Sequence, residues 1–145
     1  MKIPEYVSKA EVKRVCKEIG LRDWSVIKEA AVTRKEAETI LKIVNVKQMA
    51  IPVEEFRQGL EVELEHGTRY ADANVTNNHP ALTGMIVLAH LKETMDYYER
   101  LEVAEIEGDL LKAVIAKNLK KVEEKYKNLI KAESLLNKAV AAQMK

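Results

Sequence analysis

Apolar residues along the first half of the chain recur at the spacing that stacks side chains on one face of a helix. Val12, Val15, Cys16 and Ile19 form the first such stripe, and Ser8-Lys9-Ala10-Glu11 stands ahead of it as a capping box. In that motif the serine oxygen and the glutamate carboxylate each satisfy a backbone donor that the helix start leaves free. Gly20 supplies the stop. About 25 residues further on the grammar repeats: Thr33-Arg34-Lys35-Glu36 opens, Ala37, Ile40, Leu41 and Val44 make the stripe, and Asn45 stands where Gly20 stood. The parallel continues through Leu21/Val46, Trp24/Met49 and Val26/Ile51, as in an internal duplication of a helix with an apolar tail.

Pro52 stands at a helix start, and Val53, Phe56, Leu60 and Leu64 predict a third helix running to His66, with Gly67 as its left-handed cap. The run Leu60 to Glu65 also alternates as a half-buried strand does, but its flanks fit a helix. Residues 67–79, rich in Asn, Asp and Thr, predict a loop. Pro80 then opens a fourth helix, with Leu82, Ile86, Ala89 and Tyr97 on one apolar face and Val87, Leu91, Met95 and Tyr98 on a second. Residues 109–142 read as one long amphipathic helix of about 50 Å. Its stripe of Ile115, Leu119, Val122, Tyr126, Leu129, Leu136 and Val140 has the coiled-coil period.

These patterns predict an all-α helical bundle of one domain. Two short duplicated helices occupy residues 1–51, a central antiparallel helix pair 52–107, and a long C-terminal amphipathic helix 108–145. Composition agrees: helix formers dominate, with 5 Gly, 3 Pro, 1 Trp and 1 Phe in 145 residues. No signal-peptide pattern and no membrane-length apolar run occur, so the expectation is a cytoplasmic protein without a membrane partner. A lone Cys16 inside a helical stripe reads as packing, and in a chain expected to stay where it is made the Asn74-Val75-Thr76 sequon carries no argument for a glycan.

Charge is distributed unevenly. Residues 1–50 hold 11 Lys and Arg against 7 acids, 51–107 hold 4 against 12, and 108–145 hold 9 against 4. All three histidines, His66, His79 and His90, lie in the acidic middle. Glu63 and His66 are three apart on the third helix, and His90 and Glu93 three apart on the fourth, so each pair shares a helix face. Two imidazoles and two carboxylates are a donor set for zinc, iron or manganese, with Asp96 and Tyr97 as outer partners that orient the ligands. The same residues also read as a satisfied structural network, with His66 complementing its helix dipole.

A wider pattern surrounds these residues. The run Phe56-Arg57-Gln58-Gly59-Leu60-Glu61-Val62-Glu63-Leu64-Glu65-His66-Gly67 is followed by Asn74-Val75-Thr76-Asn77-Asn78-His79-Pro80 and Leu82-Thr83-Gly84. Ala89-His90-Leu91-Lys92-Glu93 and Asp96-Tyr97-Tyr98-Glu99-Arg100-Leu101 complete it. In order and spacing it resembles an uncharacterised family of bacteria, archaea and their viruses, over about residues 53–101. That family brings no activity to carry over, but the resemblance draws attention to Glu63, Glu65, His66, His90, Glu93, Asp96 and Tyr97. The family's loop often carries Asp before the proline, where this chain has His79. The second copy of the repeat, about 25 residues, and the C-terminal helix look like additions.

Three functional expectations follow. The first is a helical interaction or assembly protein that self-associates through the long C-terminal helix. The second is a metal-binding protein using Glu63, His66, His90 and Glu93. The third is nucleic-acid binding by the basic N-terminal region, where Lys9, Lys13, Arg14 and Lys17 lie broadly on one side of the first helix. No phosphate loop, dinucleotide fingerprint or nucleophile elbow is present in the sequence.

Overall fold

The computed structural model describes residues 6–144. Among them all regular structure is helical: α1 (Lys9–Glu18), α2 (Arg34–Val44), α3 (Val53–Arg69), α4 (Pro80–Glu93), α5 (Tyr97–Ile115) and α6 (Leu119–Gln143), with 3-10 turns at Trp24–Val26 and Ala71–Ala73. The chain divides into two compact units, Met1–Lys92 and Glu93–Lys145. No described helix is long and apolar enough to cross a membrane.

In the first unit both capped helices form, with the Glu11 carboxylate pairing with Arg14 at 2.6 Å rather than closing the expected box at the start of α1. Ser8 Oγ accepts the Glu11 N–H, and Thr33 with Glu36 completes both halves of a capping box. Gly20, at φ +73°, closes α1, with Leu21 N–H donating to Cys16 C=O at 2.8 Å. Asn45 ends α2 differently. It keeps φ at −86° and closes the turn with its side-chain amide, which accepts from Met49 N–H at 3.0 Å and donates to Met49 C=O at 2.8 Å. The core of this unit is built from Val12, Cys16, Trp24, Ala37, Ile40, Phe56, Leu60, Leu64 and Val87, all essentially inaccessible to water.

Helix α3 runs two residues beyond Gly67, so that glycine is not the expected cap. Its role is steric: a Cβ there would lie 2.2 Å from Asn78 Oδ1 and 2.9 Å from Asn74 Nδ2. Gly84 serves close approach too, since a Cβ on it would meet Ile40 Cγ2 of α2 at 2.5 Å and Phe56 Cζ of α3 at 3.3 Å. These two glycines let the loop and α4 settle onto the earlier helices.

In the second unit one long helix gives way to a hairpin. The fourth helix ends at Glu93, before the Tyr97 and Tyr98 expected on its faces, and the expected 109–142 helix breaks at residues 116–118. The chain turns there because Lys117 adopts φ +52° and Asn118 Oδ1 accepts the Lys121 N–H at 3.1 Å, capping α6. Helix α6, at 25 residues about 37 Å long, packs against α5. Ile106, Ala113 and Ala132 are buried in this hairpin. Asp109 of α5 bridges to Lys125 of α6 at 2.8 Å and to Lys112 at 3.1 Å. The two lysines hold the Asp109 carboxyl down at about 2, Lys125 most strongly.

Candidate functional site

Several residues of the acidic, histidine-bearing segment have a structural task that can be read from their contacts. Arg57 and Glu61, one turn apart on α3, grip the segment leading into α2. Val32 N–H donates to Glu61 Oε1 at 2.9 Å, and Arg57 Nη1 donates to Val32 C=O at 3.2 Å and to Glu61 Oε1 at 2.5 Å. The clamp matters because an extended segment has no partners of its own for its buried backbone groups. Glu65 pairs with Arg69 at 3.2 Å on the exposed side of α3.

The loop after α3 is locked by its asparagines. Asn74 Nδ2 donates to Gly67 C=O at 3.0 Å and to Asn78 Oδ1 at 2.8 Å. Thr76 Oγ1 accepts the Asn78 N–H at 3.3 Å. Asn77 and Asn78 hold φ of +48° and +63°, a conformation that asparagine tolerates better than most side chains. His79 follows as the cap of α4: its Nδ1 accepts the Leu82 N–H at 3.4 Å, and Pro80 takes the first helical position. An imidazole here does the work that aspartate does at many helix starts, provided Nδ1 carries no proton. Burial pushes the His79 pKa down; Glu11 opposes that shift and Arg14 adds to it.

In the second unit, Asp96 is almost wholly buried and is held by a two-pronged guanidinium contact from Arg100, at 3.0 Å and 2.7 Å, and by the Thr94 hydroxyl. Those hydrogen bonds, Arg100 foremost, outweigh burial and hold the carboxyl at about 2. Tyr97 meets Tyr98 edge to face, with ring centroids 5.2 Å apart.

Of the four expected metal ligands, Glu63, His66 and His90 belong to the first unit and Glu93 to the second. His90 Nε2 lies 3.6 Å from Glu63 Oε1, with both side chains partly buried. His66 is exposed at the end of α3, where it and Arg69 face the helix dipole. Glu93 is exposed at the end of α4. Among the described residues, no group of three or more His, Cys, Asp and Glu side chains is placed to hold a metal ion. What the fold brings together is the Glu63–His90 pair, an ion pair whenever the imidazole is protonated.

A second buried carboxylate escaped the sequence. Glu36, read there only as half of a cap, is 6% exposed and accepts four hydrogen bonds. They come from Trp24 Nε1 at 3.0 Å, Arg22 Nε at 2.9 Å, and Thr33 N–H and Oγ1 at 2.8 Å each. Burial pushes its pKa up, but the donors prevail and the net shift is downward. The Trp24 and Arg22 contacts span 12 and 14 residues, so only folding reveals them. Cys16 is buried nearby, with Trp24 N–H donating to its Sγ at 3.4 Å; burial pushes the thiol up, away from nucleophilic use. On α1, Arg14 is tied to Glu11 and Glu18 at 2.6 Å each, while Lys9, Lys13 and Lys17 remain exposed.

A family model described as "Protein of unknown function (DUF5661)" matches residues 12–107. No curated protein and no solved structure matches the chain.

Proposed function

We propose, for a chain that belongs to this family of unknown function, a role as a self-assembling helical protein whose copies associate through the C-terminal hairpin. One observation carries the reading. Leu111 and Ile115 of α5 and Leu119, Tyr126 and Ile130 of α6 are each more than half exposed. Five large apolar side chains left in water on one hairpin are a candidate contact surface. Most of the hairpin, from residue 108 onward, lies beyond the family match.

Sedimentation equilibrium of the full chain at micromolar concentration tests this. The expected result is a discrete oligomer that dissociates on dilution. A single monomeric species across the whole range overturns it.

A further inference from the structure

We infer that the turn end of the α5–α6 hairpin docks on the surface of an anionic lipid bilayer, with its apolar side chains in the headgroup layer and its lysines against the lipid charges. Two features of that end are unfavourable in water. The first is apolar exposure: Val114 is 53%, Ile115 72% and Leu119 81% exposed, around the one turn that joins the helices. The second is charge. From Leu110 to Val122 the chain carries four lysines and no acid. Lys117, Lys120 and Lys121 are exposed and stand at the start of α6, where the helix dipole is already positive and no acid occupies the first turn. The acids nearest in the chain face other lysines: Asp109 holds Lys112 and Lys125, Glu123 holds Lys127, and Glu124 acts on Lys125. The fold of the hairpin therefore gains nothing from these three lysines.

One partner relieves both costs. An anionic bilayer offers the lysines a negative surface and, just beneath it, offers the apolar side chains the acyl boundary. A nucleic-acid backbone would satisfy the lysines but leave Val114, Ile115 and Leu119 in water. A second copy meeting this one end to end would cover the apolar side chains but set Lys117, Lys120 and Lys121 against the same three lysines. Lying in the interface needs no spanning segment, and no described helix is one. The inference goes beyond the assembly reading and stands without it, since Tyr126 and Ile130, farther along α6, are left for contacts between copies.

Co-sedimentation of the full chain with vesicles tests it, using phosphatidylcholine alone and phosphatidylcholine with about 30% phosphatidylserine. The chain should bind the mixed vesicles, less so as salt rises, and bind the neutral ones little. K117Q/K120Q/K121Q should lower the partition coefficient about 100-fold, each lysine near the surface counting for about fivefold. I115S/L119S should lower it about 10-fold or more, while V26S, at an exposed apolar position of the first unit, leaves it unchanged. Every substituted side chain is exposed, so helical circular dichroism should be retained, and the lysine variant should melt no lower than wild type. A lower melting temperature would show that the lysines serve the fold, and would overturn the argument from their placement. Absence of binding to the mixed vesicles overturns the inference, as does I115S/L119S binding them as tightly as wild type. Retention of a DNA duplex without vesicle binding overturns it in favour of nucleic acid. A chain that is monomeric in sedimentation yet binds the mixed vesicles overturns assembly and leaves this inference standing.

Discussion

The Asn78 side-chain oxygen occupies the space that any side chain on Gly67 would need, 2.2 Å from the Cβ position. The helix end and the loop after it are therefore one device. G67A is expected to expel Asn78 and break its bond from Asn74, lowering stability by about 2–3 kcal/mol, measured by urea denaturation. A loss under about 0.5 kcal/mol, the level of an ordinary surface change, would show that the loop yields freely.

Glu36 should be intolerant of even its closest replacement. E36Q keeps the shape but turns an amide N–H₂ towards groups that are themselves donors, Trp24, Arg22 or Thr33. A loss of about 2–4 kcal/mol is expected, from the same measurement. W24F, which removes one donor and keeps most of the ring, should cost less than E36Q.

Asp96 gives an acid-sensitive contribution. Its folded pKa of about 2 lies below the ordinary 3.8. The stabilisation is therefore fully present above 3.8 and is lost as pH falls through about 2, and it amounts to about 2 kcal/mol. R100A should remove most of it, flattening the stability profile between pH 4 and 2. An R100A profile parallel to that of wild type would contradict the assignment.

His79 should show the same sign at higher pH. Its folded pKa is lowered from 6.5, so the cap contributes above 6.5 and is lost as pH falls through the folded value, when Nδ1 gains a proton. H79N keeps a capping oxygen and has no such titration. It is expected to match wild type within about 0.5 kcal/mol at pH 8 and to exceed it at pH 5, which thermal melts at the two pH values would show.

The capped helices were legible in the sequence because their signals are local: Ser8 and Thr33 are followed three residues later by glutamate, and Gly20 stops α1. Gly67 was misread because a glycine needed for close approach and one needed for a left-handed cap look alike until the neighbouring loop is in place. The breaks after Glu93 and Ile115 were missed for a related reason. Neither has a proline or glycine, and the second rests on one left-handed lysine and an asparagine cap inside an otherwise unbroken apolar period. For the candidate site, spacing along each helix pointed to Glu63 with His66 and His90 with Glu93. The contact seen is Glu63 with His90, across two helices, which no single-helix period encodes.

Trp24 is the chain's single tryptophan, fully shielded from water and hydrogen-bonded to Glu36. Its emission is thus a built-in optical gauge of the first unit, with no fluorophore of its kind in the hairpin to confuse it. Monitored beside far-ultraviolet dichroism, which sums over all helices of the chain, it turns one melting experiment into two. Coincident curves would mean the units unfold as one cooperative body, and separated curves would yield the stability of each without cutting the chain.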